Sequence, residues 1–321
     1  MIKSGQRLGG IAGVLVAAIL WGTTGTAATY APDLSPLAVG AVAMGIGGLL
    51  QAVMGISLII RQRRLISRHW HFLMTGAGAV AVYPLAFYAS MHYAGVTVGT
   101  VISIGSAPLL SALIEFRYDG VRLTKQWGGG AALGVVGMVL LCLAERSGHG
   151  SGDDHAMTGI FLGLLAGFTY ALYSWSARRL MQAGVAARAA MGATFGAGGL
   201  LLMPVLLMTG APLLADGHYA AVGIYMALVP MFLGYLCYGY GLARIPASMA
   251  TTITLLEPGV AALLAVLIVG ERLPFGGWTG VSLIVASLGV ITVPAGRFSF
   301  TLLRRQNNTP LKYKQEINHE G

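Results

Sequence analysis

Residues 247–273 read ASMATTITLLEPGVAALLAVLIVGERL. The stretch opens with small and hydroxylated residues, places Glu257-Pro258 in mid-run, continues apolar from Gly259 to Gly270, and regains charge at Glu271-Arg272. About 20 predominantly apolar residues suffice to cross a bilayer as a helix, and this run has that length. A carboxylate near the middle of such a helix costs about 2.5–3.5 kcal/mol unless it faces a partner or a watery cavity. The proline beside it removes one backbone donor and kinks the helix, freeing a carbonyl at the same depth. The combination predicts a cavity beside Glu257.

The rest of the chain obeys the same solvent. Of 321 residues, 56% are hydrophobic and only 10% charged, with a mean hydropathy of +0.74. Soluble domains carry about 25% charged residues, so this chain cannot cover a water-facing surface and reads as an integral membrane protein. The net charge of +9 comes from residues placed between apolar runs. That placement points to topology and not to a nucleic-acid-binding face. Cys142 and Cys237 both lie inside apolar runs, which argues against a structural disulfide or a thiolate metal site. The first run, uncharged from Leu8 to Pro32, exceeds a signal-peptide core and reads as an uncleaved first helix.

Ten spans are expected, at 8–30, 36–60, 71–92, 97–116, 126–144, 157–177, 188–209, 219–242, 247–268 and 275–295. With a cytoplasmic N-terminus, eighteen Lys and Arg residues face inside and only Arg146 and Arg272 face outside. This is a strong positive-inside bias, and changing the span count by one would scramble it. Both termini are therefore expected in the cytoplasm, and the basic tail 297–321, with its Asn307 sequon, is expected to be solvated there.

An internal repeat organises the spans. At an offset of 150, YASMHYAGVTVGTVISIGSAP (88–108) lies over YGYGLARIPASMATTITLLEP (238–258). Both read as an aromatic-rich helix, a short turn, a hydroxyl-rich helix and a proline. Leu20-Trp21-Gly22 falls near Thr169-Tyr170-Ala171 in a weaker first-half match. Because each unit has an odd number of spans, the second must insert upside down. Inverted repeats of this kind build secondary transporters, with the substrate site at their interface near the midplane. The units are expected at 1–146 and 147–296.

Leu20-Trp21-Gly22, Leu256-Glu257-Pro258 and Gly270-Glu271-Arg272-Leu273, set in ten spans, resemble the EamA-type branch of the drug/metabolite transporter superfamily. The resemblance covers roughly 8–295 and implies export of amino acids or other small metabolites, or exchange of drugs or cations. Three positions depart from the family pattern. Met44 stands where members often have an arginine, Gly120-Val121 replaces the first-repeat Gly-Glu, and Ser106-Ala107-Pro108 lacks the glutamate. Glu257 is thereby expected to be the lone deep carboxylate.

Candidate substrate-binding residues are Trp21, Tyr83, Tyr88, Ser103, Tyr170, Tyr173, Tyr235, Tyr238, Thr252 and Glu257. Tyr and Trp offer apolar faces with one polar handle, and their rings attract cations. The same residues also form interfacial belts, the reading given to Tyr30, Tyr93 and Tyr219. Glu257 could bind a cationic group or a proton, or instead be a structural carboxylate bonded to Thr251 or Thr254. The hydroxyls could replace a solute's hydration shell or bond carbonyls freed at Pro84, Pro108 and Pro258, the expected kinks. His92 is read as a snorkelling interfacial residue, with pH sensing as the alternative. Gly9-x-x-x-Gly13, Gly130-x-x-x-Gly134, Gly163-x-x-x-Gly167 and Gly192-x-x-x-Gly196 predict close helix contacts.

No metal-ligand spacing, P-loop or nucleotide-binding motif stands beside a strand, so no cofactor, metal or catalytic set is expected. The reading is a secondary transporter of the cell inner (plasma) membrane, moving small organic solutes outward by rocking of helices three, four, eight and nine. Amino acids or related metabolites are the preferred substrates, with a proton or an exchanged solute as coupling partner and a monomer or homodimer as the working unit. An organic-cation or multidrug exporter is the nearest alternative. A receptor without transport and a membrane-embedded enzyme represent other classes.

Overall fold

With no water in hydrocarbon to satisfy them, the backbone N–H and C=O groups of apolar runs must bond within a helix. The computed structural model describes residues 4–94, 96–121, 124–145, 156–269 and 274–292, and is all-helical over them. Ten long helices follow one another: α1 (Ser4–Ala28), α2 (Pro36–Arg61), α3 (Trp70–Ala94), α4 (Val96–Asp119), α5 (Lys125–Glu145), α6 (Ala156–Gln182), α7 (Ala187–Thr209), α8 (Gly217–Leu242), α9 (Ala247–Ile268) and α10 (Phe275–Thr292). Among the described residues nine are long and apolar enough to cross a membrane, and the tenth, α5, has 21 residues and packs on α10. The division between the third and fourth spans, expected between residues 92 and 97, falls after Ala94. Gly270-Glu271-Arg272-Leu273 and the tail 297–321 lie outside the described residues.

The helix packing carries the repeat. Helix α3 lies along α6 and α1 along α8; α4 lies on α6 and α1 on α9. Helix α2 meets α7, α5 meets α10 and α4 meets α9. Exchanging the first five helices for the last five converts each of these pairs into another member of the set or into itself. That is the contact pattern of two inverted five-helix units.

Small residues let the backbones approach. An added Cβ at Gly137 would stand 2.8 Å from the Gly280 carbonyl oxygen, and one at Gly280 would stand 2.5 Å from that of Gly137, so α5 and α10 meet backbone to backbone. The four spaced glycine pairs likewise face neighbouring helices of the same chain: Gly9 and Gly13 face α8, Gly130 and Gly134 face α10, Gly163 faces α3 and α4, Gly167 faces α4, and Gly192 and Gly196 face α2. Helix ends that carry arginine gather at one end of the bundle. There Arg178 Nη1 bonds the Leu242 carbonyl at 2.6 Å, and Gln62 accepts the Ala186 N–H at 2.9 Å.

Candidate functional site

Helix α9 is broken. Its first segment, Ala247–Ile253, ends at Thr254-Leu255, and a second begins at Leu256. Pro258 has no N–H for the Thr254 carbonyl and its ring crowds that oxygen. The turn tightens instead, with the Leu255 N–H on the Thr252 carbonyl at 3.2 Å and the Glu257 N–H on the Thr254 carbonyl at 3.0 Å. The interruption thus lies ahead of Pro258, which sits in the first turn of the new segment. Pro84 and Pro108 lie inside uninterrupted helices.

Glu257 follows the break by two residues. Ten residues of helix from Ala247 amount to about 15 Å, half the hydrocarbon thickness. Its side chain is part-buried, and among the described residues no hydrogen bond or ion pair to it is found. The two threonines that could have held it are engaged elsewhere. Thr251 Oγ1 donates to the Ala247 and Ser248 carbonyls at 3.0 and 3.1 Å. Thr254 Oγ1 bonds the Thr251 carbonyl at 2.9 Å and the Tyr170 hydroxyl at 2.8 Å. The carboxylate lies within Coulombic reach of the Tyr83, Tyr88, Tyr170 and Tyr235 hydroxyls.

Those rings belong to one aromatic cluster at the meeting of α1, α3, α6, α7 and α8. Trp21 stands 4.7 Å from Tyr235 and 5.2 Å from Tyr238, centroid to centroid. Tyr170 stacks on Tyr173 at 5.2 Å, and Phe195 lies 4.4 Å from Tyr235. The polar handles are satisfied inside the cluster. Tyr173 and Tyr235 hydroxyls share a hydrogen bond at 2.8 Å, Tyr238 donates to Ser174 at 2.8 Å, and the Trp21 indole N–H donates to the Pro230 carbonyl at 2.8 Å. Gly234 lets the indole in, since a Cβ there would lie 2.7 Å from Nε1. Gly22 in turn seats α1 on α9, a Cβ there falling 3.0 Å from the Glu257 carbonyl oxygen.

Trp21, Tyr170, Tyr173, Tyr235 and Tyr238 are each less than 5% exposed. They fill space with their faces on one another where the sequence anticipates a hollow. Tyr83, Phe87 and Tyr88 continue the cluster, at 5.6 Å from Tyr170, 5.7 Å from Tyr83 and 5.3 Å from Phe87 respectively, and are only part-buried, as is Glu257. The floor is aromatic and closed; the accessible groups form its rim.

Two hydroxyl candidates stand apart from this rim. Thr252 is fully buried, donates to the Ser248 carbonyl at 2.6 Å and accepts from the Trp127 indole at 3.2 Å. Ser103 is fully buried on the stretch of α4 that faces Gly167, and its hydroxyl has no partner among the described residues. Tyr30, Tyr93 and His92 are exposed near span ends, in keeping with an interfacial belt.

One cluster was not expected from the sequence. Glu115, near the end of α4, is 1% exposed and lies at the arginine-rich end of the bundle, not at half depth like Glu257. Glu115 Oε1 accepts the Ala247 N–H at 2.6 Å, and Oε2 accepts the Ser248 N–H at 3.1 Å and the Ser248 hydroxyl at 2.5 Å. The carboxylate thereby caps the first segment of α9, where orphan donors and the helix dipole both favour negative charge. Arg178 completes the latch, bonding the Leu242 and Ile245 carbonyls and approaching Glu115 at 3.9 Å. Beside it Arg179 pairs with Asp119 at 3.1 Å, and Trp175 donates to Asp119 at 3.0 Å. The basic end of α6 thus ties α4 to the α8–α9 turn. An acidic residue seven positions after Pro108 and a paired arginine ending α6 were the visible signals; nothing local joined them.

A family model described as the EamA-like transporter family matches this chain twice, over residues 8–143 and 157–293, one match on each five-helix unit. The chain belongs to the EamA-like transporter family. The transporter YwfM of Bacillus subtilis is 31% identical over 280 residues, covering 87% of this chain and 92% of that one. A protein of Streptantibioticus cattleyicolor named as a probable terminal-alkyne amino-acid exporter is 24% identical over 302 residues, covering 91% and 97%. The inner membrane transporter YicL of Salmonella typhimurium is 23% identical over 306 residues, covering 91% and 98%. A crystal structure with 20% sequence identity superposes with a TM-score of 0.75, over 92% of this EamA-like transporter and 99% of its own chain, and confirms the fold.

Proposed function

We propose that this EamA-like transporter exports small amine-bearing organic solutes, amino acids or related metabolites above all, by alternating access of its two units. One observation carries the reading: a carboxylate halfway along a broken helix, part-exposed and without a hydrogen-bonded protein partner among the described residues, beside the part-exposed faces of Tyr83 and Tyr88. Ionisable groups at membrane depth are expensive when unpaired, and a substrate ammonium or a proton would complete this one. The ring faces would take the apolar part of the solute and attract its cationic end. A relative named as an amino-acid exporter supports the same class. A second reading, export of organic cations, is favoured by the absence of any described Lys or Arg bonded to Glu257 that would serve a substrate carboxylate.

The latch at Glu115 and Arg178 would close the arginine-rich end in this state, leaving access from the other. The positive-inside bias and the relatives named as inner membrane transporters support placing that end, and both termini, in the cytoplasm. Rocking of α3, α4, α8 and α9 would undo the latch and expose the rim to the other side. No hydrolysed cofactor is invoked; the driving force would be an ion gradient, an exchanged solute or the solute's own gradient.

The test is flux into proteoliposomes of labelled amino acids and of organic cations, with and without an imposed pH gradient. Saturable flux of an amino acid without chemical conversion is expected. Flux confined to organic cations selects the second reading, and flux of neither class overturns both.

A further inference from the structure

A cavity of about 850 Å³ lies away from the aromatic cluster, between α1, α2, α7 and α8. Its walls are apolar, from Gly9, Gly13 and Val16 on α1 to Met54 and Leu58 on α2, and Arg188 and Arg244 stand in its lining. Helix α1 runs from Gly9 to Val16 along it, about 10 Å, which is two thirds of the roughly 15 Å depth of one hydrocarbon leaflet. Ala12, on the same wall, is exposed, so the trough opens sideways where lipid stands.

Both arginines are at the basic end of the bundle and neither has an ion-pair partner among the described residues. Arg244 is held in place: Nη1 bonds the Tyr240 carbonyl at 2.6 Å, and its guanidinium lies 3.5 Å from the centroid of the Tyr240 ring. Arg188 is exposed. An apolar trough about one leaflet deep, closed at its polar end by two guanidinium groups without an ion-pair partner among the described residues, matches an amphiphile with an anionic head. We propose that this groove is a binding site for an anionic phospholipid, its phosphate on Arg188 and Arg244 and an acyl chain along α1. The site is separate from the proposed transport rim, and its occupancy does not depend on what is transported.

The experiment is native mass spectrometry of the purified protein in detergent, titrated with phosphatidylglycerol or phosphatidylcholine. Retention of phosphatidylglycerol roughly thirtyfold above phosphatidylcholine is expected, since each basic residue near an anionic headgroup contributes about fivefold and there are two. The Arg188→Gln, Arg244→Gln double variant should lose the preference, and Ala12→Phe, which fills the trough from an exposed position, should lose retention of both lipids. Arg63→Gln with Arg64→Gln, exposed basic residues outside the groove, should leave it unchanged. Equal retention of the two lipids, or loss of preference in the Arg63/Arg64 control to the same degree, overturns the site in favour of general attraction to a basic surface. Competition by soluble glycerol phosphate at the affinity of the lipid would also overturn it, because the trough would then contribute nothing.

Discussion

Glu115 and Glu257 are two carboxylates on repeat-related helices, α4 and α9, and their surroundings are opposite. Glu115 uses both oxygens on the N-terminal donors of α9 and has a guanidinium at 3.9 Å. Glu257, on the far side of the break in that same helix, has no described hydrogen-bond partner and a part-exposed side chain. The first is structure: a charge made tolerable by complete pairing, fastening one end of the bundle. The second is the group that the proposed function completes with a substrate ammonium or a proton. A buried acid therefore declares its role by what its oxygens touch, more than by how deep it lies.

The contrast can be broken most directly at Glu257. Glu257→Gln is expected to lower flux at least about tenfold, equivalent to losing about 1.4 kcal/mol of differential interaction, and to remove any pH dependence of flux. Its thermal midpoint in detergent should hardly move, because no protein hydrogen bond is lost. Wild-type flux with an unchanged pH profile would return Glu257 to a structural role.

Glu115→Gln should reverse that pattern. The amide NH₂ would be turned toward backbone N–H donors, and charge-assisted hydrogen bonds worth about 1.5–3 kcal/mol would be weakened. A clear loss of thermal stability is expected, with greater reactivity of cysteines introduced at the α8–α9 turn toward a water-soluble thiol reagent. An unshifted melting curve and unchanged labelling would show that the latch does not hold this end closed.

Smaller effects should grade across the cluster. Tyr83→Leu, at the rim, is expected to raise KM several-fold with modest change in stability. Trp21→Phe, in the filled floor, should cost about 1 kcal/mol through the lost Pro230 hydrogen bond and leave KM nearly unaltered. Equal kinetic effects from the two would erase the distinction between rim and floor. His92→Ala, at an exposed span end, is expected to leave the pH profile of flux untouched, and a shifted profile would make it the sensor.

The glycine pairs, the division at Ala94 and the gathering of arginines at one end were all legible, because each follows from a local rule. Close packing needs small residues at a helical spacing, and a span has a limited length. The site was legible only in part. Trp21, Tyr83, Tyr170, Tyr173, Tyr235 and Tyr238 do meet, but depth along a helix does not say whether a ring bounds a space or fills it. Thr252 and Ser103 share the hydroxyl-rich pattern with the rest of their helices, and their place around the axis buries both, Thr252 against Trp127.

By itself the sequence determined a membrane protein of ten spans in two inverted units, with an acid at half depth beside a proline. Hydrocarbon solvent imposes those features on composition and spacing, residue by residue. Only the tertiary structure decided that Glu115 is satisfied while Glu257 has no described hydrogen-bond partner, and that six aromatic rings close the centre while three form its edge. Those outcomes rest on partners more than 60 positions apart in the chain, such as Glu115 with Ser248 and Tyr173 with Tyr235. A hydrogen bond or a ring contact between them exists only once the helices have packed.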